Sequence, residues 1–81
     1  MTMEVEVAQW GDLTYFLSQN PTTNQFEVTV VDEKKNKSIF NFDDGHEKNG
    51  NLNSEDRLLA QRMIRDCHEE FLEYWKKITQ K

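Results

Sequence analysis

From residue 4 onward EVEVAQW alternates polar and apolar positions, the period-two pattern of a strand with one buried face. Gly11-Asp12 interrupts it, and LTYFL (13–17) resumes as a strand, either a new one or a continuation past a bulge. SQNPTTN (18–24) is a turn cluster holding the only proline. QFEVTVVD (25–32) is the clearest strand, with Phe26, Val28 and Val30 on one side and Glu27, Thr29 and Val31 on the other. EKKNK (33–37) reads as a hairpin loop and SIFNF (38–42) as the returning strand. The polar, glycine-bearing stretch 43–52 reads as a connecting loop.

The period then changes. Ala60, Ile64, Cys67, Phe71, Tyr74 and Ile78 recur at three- and four-residue spacing, and Met63 and Trp75 widen them into one apolar stripe. Asn53 or Ser54 supplies an N-cap, Glu55 and Asp56 occupy the first turn, and Lys76, Lys77 and Lys81 close the other end, each sign matching the helix dipole. The pattern predicts one helix over about 54–78, roughly 38 Å long at ~1.5 Å per residue. The expected fold class is α+β: an antiparallel sheet of three to four strands with one long C-terminal helix packed on one face. Val5, Val7, Leu13, Tyr15, Leu17, Phe26, Val28, Val30, Phe40 and Phe42 would form the inner face.

With 81 residues the chain has room for one domain, and nine aromatic residues argue against wholesale disorder. No apolar run approaches the roughly 20 residues needed to span a bilayer, and MTMEVEVAQW has no apolar leader region. A single cysteine cannot form an internal disulfide, which fits a reducing compartment, so a cytoplasmic location is expected. The net charge of −5 sits entirely in residues 1–50, because residues 51–81 hold six acidic and six basic side chains. An acidic sheet half disfavours nucleic acid as a direct ligand and allows a basic protein partner.

CHEEFLEYW (67–75) gathers most of the chemistry-bearing side chains. Helical neighbours point about 100° apart, so Cys67 and His68 do not form a nucleophile–base pair. Cys67 lies within the apolar stripe, where a thiol packs as a small hydrophobe. Cys67, Phe71, Tyr74 and Trp75 are expected to face the sheet, with Leu72 pointing elsewhere. A metal site would have to draw on His46, His68, Cys67 and Asp43 or Asp44, without the short paired spacing of structural zinc. DDGHEKNGNLNSE fails the EF-hand pattern at its third and fifth positions. Glu69, Glu70 and Glu73 fall opposite or beside the stripe and read as a solvated face. No phosphate-binding glycine loop and no nucleophile elbow is present. No catalytic, metal or cofactor residue is therefore assigned.

What remains is apolar surface. If Phe26, Val28 and Val30 face the helix, then Phe16, Val31 and Ile39 point outward, sharing that face with Glu4, Glu6 and Glu27. An open sheet face of this kind suits a protein contact. Leu58 and Leu72 on the helix also fall outside the main stripe.

The order of pieces resembles a family of small bacterial domains of unknown function. That family has an aromatic-Gly step, an Asn-Pro-Pro-His-Phe-His-Val stretch and a terminal helix with a Glu-Leu-Leu…Trp pattern. The matching residues are Trp10-Gly11, Tyr15-Phe16, Asn20-Pro21, Gln25-Phe26-Glu27-Val28 and Glu70-Phe71-Leu72-Glu73-Tyr74-Trp75. The second proline is absent, Gln25 and Glu27 stand where the motif histidines would be, and Cys67 where a helix histidine would be. The resemblance implies the fold, removes the family's imidazoles, and suggests small bacterial or mobile-element genes of toxin–antitoxin type.

The expected function is a non-enzymatic, acidic protein-interaction module. It would act as an antitoxin-like regulator or inhibitor of a larger protein partner, a basic or nucleic-acid-binding one, through Phe16, Val31, Ile39, Glu4, Glu6 and Glu27. The alternatives are a metal-binding or thiol/histidine enzyme using His46, Cys67 and His68, and a self-associating homodimer.

Overall fold

The computed structural model describes residues 4–79; Lys81, expected to help close the C-terminal helix, lies outside them. Five strands, β1 (Glu4–Trp10), β2 (Leu13–Gln19), β3 (Phe26–Val31), β4 (Lys37–Asn41) and β5 (Glu47–Gly50), form an antiparallel meander in chain order. Two helices follow, α1 (Ser54–Asp66) and α2 (His68–Thr79). The α+β class stands, but the sheet has five strands where three to four were expected, and the helix is two.

Period-two alternation puts one row of side chains under the helices. Val5 pairs with Leu17, Leu17 with Val28 and Val28 with Phe40. All four are buried, together with Leu13, Tyr15, Val30 and Phe42 from the sheet region and Ala60, Ile64, Phe71 and Trp75 from the helices. Of the expected inner face, Val7 and Phe26 are only partly buried, packed against this core. Leu52, which leads into α1, joins the core although sequence placed it in a loop.

A register shift between Glu6 and Ala8 decides where Trp10 goes. Glu6 pairs with Phe16, but Ala8 pairs with Tyr15, so Val7 is the extra residue of a bulge. The bulge reverses the alternation and brings Trp10 to the inner side. There its ring meets Tyr15 edge-on at 5.3 Å and stacks on Phe71 at 6.1 Å.

The fifth strand lies in the stretch read as loop 43–52. EKNG carries no apolar alternation, because a short edge strand needs little of it. What holds it is backbone geometry. Gly50 pairs with Ser38 and has φ +149, and a Cβ there would overlap the Ser38 backbone and side chain. The buried Ser38 hydroxyl then accepts the Leu52 N–H at 3.3 Å, tying the exit of β5 to β4.

Asn53 is the N-cap of α1, its side-chain oxygen accepting the Asp56 N–H at 2.8 Å. The helical run breaks at Cys67, where φ is −107 and ψ 21. Neither proline nor glycine occurs between residues 54 and 79, so no local breaker announces the bend. The i→i−4 ladder runs on both sides of it, the Cys67 N–H donating to the Met63 carbonyl at 2.9 Å and the Phe71 N–H to the Cys67 carbonyl at 3.0 Å. Bending at Cys67 keeps both halves over the core. It also sets the phase of α2, which buries Phe71 and Trp75, brings Leu72 and Ile78 against the core and leaves Tyr74 47% exposed. Tyr74 thus does not face the sheet, and Leu72 does not point away from it.

Candidate functional site

The sheet face opposite the helices is built from three cross-strand rows. Glu4, Ser18, Glu27 and Asn41 pair in turn, as do Glu6, Phe16, Thr29, Ile39 and Asn49, while Gln9, Thr14, Val31 and Lys37 form the third. Glu4, Glu6, Phe16, Glu27, Val31 and Ile39 therefore share this face. Phe16, Val31 and Ile39 are half-buried, on adjacent strands β2, β3 and β4. Glu27 is already engaged: the Lys48 ammonium, reaching from the bulged strand β5, bonds its carboxylate. Glu4 and Glu6 have no such ion pair among the described residues.

At one end of the face an open cleft of about 310 Å³ lies between the β1–β2 turn and the β3–β4 turn. Phe16 and Val31 line it together with Glu6, Asp12, Asp32, Glu33 and Lys35. The two turns are separate in sequence and meet here only because β1 to β3 are neighbours in the sheet, so sequence reading did not group them. Asp32 is committed to its own turn: one oxygen accepts the N–H groups of Lys34 and Asn36, both at 2.9 Å, and the other accepts the Asn36 amide at 3.2 Å. Burial alone would raise its carboxyl, but these hydrogen bonds win and hold it below its ordinary range. Glu33 moves the other way. Its hydrogen bond with Asp12 and the repulsion between the two carboxylates raise it.

The histidines and the cysteine are arranged differently. His46 and His68 line one open cleft of about 550 Å³ with Asp43, Asp44 and Arg65. His68 stacks flat on Phe42, centroids 4.0 Å apart at 12°, which accounts for its imidazole as packing at the helix bend. Arg65 lays its aliphatic stem where Gly45, at φ +75, leaves room for it. No group of three or more His, Cys, Asp or Glu side chains among the described residues is placed to hold a metal ion. Cys67 is half-buried, and its thiol is pushed up by burial first and by Glu70 and Asp66 second. That shift lowers the thiolate fraction a nucleophile would need.

No helix among the described residues is long and apolar enough to cross a membrane. Fold and surface together define a small acidic α+β domain with one covered and one open sheet face. Set against models of protein families, curated proteins and solved structures, the chain matches none. The resemblance to small bacterial domains therefore rests on its motifs alone.

Proposed function

We propose that this chain is a protein-binding domain that presents the open face of its sheet to a basic surface on a larger protein, as an inhibitor or antitoxin-like regulator would. The observation that supports the reading is the co-location of Phe16, Val31 and Ile39 on a face that no helix of the described residues covers. Carboxylates outnumber ammonium groups around the cleft at the end of that face, with Glu6, Asp12, Asp32 and Glu33 against Lys35. Apolar anchors inside an acidic rim suit a partner whose contact surface mixes apolar and cationic side chains. A nucleic-acid-binding protein offers such a surface, and covering it would block its use.

The test is affinity capture of the tagged chain with two charge-inserting variants. Phe16→Glu places a carboxylate in the middle of the face and should abolish capture of the partner while the circular dichroism spectrum is retained. Leu58→Glu alters a residue that is 65% exposed on α1, away from the sheet face, and should leave capture unchanged. Capture that survives Phe16→Glu, or is lost equally in both variants, would sink the sheet-face reading.

A further inference from the structure

We infer that the cleft between the β1–β2 and β3–β4 turns is the anchor of the open face, and that it receives the guanidinium of one arginine from the protein partner. The inference rests on the sheet-face reading above and adds the chemistry of its central contact. The cleft pairs two features that are seldom neighbours. Its floor is an aromatic ring and an aliphatic side chain, Phe16 and Val31, and its rim holds four carboxylates against one lysine. Of the four, Asp32 is spent on its own turn. Asp12 and Glu33 line the cleft together from the two turns, and no basic side chain of the described residues forms an ion pair with either. Two exposed carboxylates held together repel unless a cation is placed between them.

The kind of cation follows from the surroundings. A metal ion needs three or more ligands converging on a point, and the described residues offer no such group. An ammonium is already present at the rim as Lys35, yet it forms no ion pair with Asp12 or Glu33. A planar guanidinium meets both features at once. It can lie on the Phe16 ring by cation–π attraction and donate in parallel to two carboxylates. The cleft opens onto the same face as Ile39, so an arginine flanked by apolar residues would continue from the anchor across the sheet.

The probe is a capped pentapeptide, Ala-Leu-Arg-Leu-Ala, with the isosteric but uncharged citrulline peptide as its control. Both are titrated against the full chain and followed by amide NMR. The arginine peptide should produce saturable shifts at Gly11, Asp12, Phe16, Val31 and Glu33, and the citrulline peptide should not. Asp12→Asn combined with Glu33→Gln should weaken arginine-peptide binding by about two- to fivefold, the upper range for a charge pair near solvent. Both positions are exposed turn residues, so the fold is retained. Equal shifts with both peptides, shifts spread over the helices, or no shift at millimolar peptide would overturn the inference. The two proposals separate in the capture assay. Partner binding lost in Phe16→Glu but kept at full strength in the Asp12/Glu33 variant removes the arginine anchor and leaves the sheet-face reading standing. Binding kept in both removes the sheet-face reading itself.

Discussion

Tyr15 is fully buried between Trp10 and Phe71, and its hydroxyl has no hydrogen-bond partner among the described residues. Burial, reinforced by Asp56 and Cys67, pushes its ionisation up to about 12. The sign is that of a neutral acid kept neutral by folding. Its contribution to stability is complete below the unfolded value near ~10 and is lost as the pH rises from there towards 12. Tyr15→Phe removes the orphan hydroxyl and keeps the ring. Urea unfolding should find this variant as stable as the parent or up to ~1 kcal/mol more stable at neutral pH, and the alkaline decline should shrink. A variant less stable by more than that would mean that the hydroxyl has a partner. The sequence marked Tyr15 as a core residue by its alternation. It could not reveal the missing hydrogen bond, which depends on what Trp10 and Phe71 place around the ring. The direction of Trp10 also turns on a single residue: the extra one at Val7 inverts every later position of the strand.

Elements were legible in proportion to how much of their stabilisation comes from a repeating apolar side-chain pattern. Strands β2, β3 and β4 and the apolar stripe of the helices carry strong periods, and each lies within a few residues of its predicted span. Strand β5 carries none, because it is held by the close approach of Gly50 to Ser38 and by the Leu52 N–H. Gly50→Ala should therefore cost more than ~2 kcal/mol, adding strain at positive φ to overlap with backbone. Thermal unfolding compared with Asn49→Ala, on the same strand but exposed, would read the difference. An Ala variant at position 50 of parental stability would mean that β5 is not packed against β4 as described. The bend at Cys67 was equally silent in sequence. It sets which side chains of α2 meet the core, and that belongs to the assembled fold.

On the scale of the whole molecule, the sheet has two edges and both are blunted against pairing. Strand β1 carries Glu4, Glu6 and a bulge, and β5 is four residues long with a bulge opposite Ile39 and Phe40. Carboxylates outnumber ammonium groups around the cleft of the open face. Two copies packed through this face would set like charges against each other, so the purified chain should sediment as a monomer over a broad concentration series. A concentration-dependent dimer would instead favour self-association, and Phe16→Glu would then say whether the sheet face mediates it.

The sequence by itself determined the α+β class, the core residues of three strands and the face shared by Glu4, Glu6, Phe16, Glu27, Val31 and Ile39. All of these follow from local periods, and a period is a property of neighbours in the chain. Only the tertiary structure decided that Trp10 turns inward, that a fifth strand closes the sheet, that the helix bends at Cys67, and that Asp12 and Glu33 meet beside Phe16. Those outcomes depend on pairing register, backbone approach and core packing, which bring together residues that the chain keeps apart.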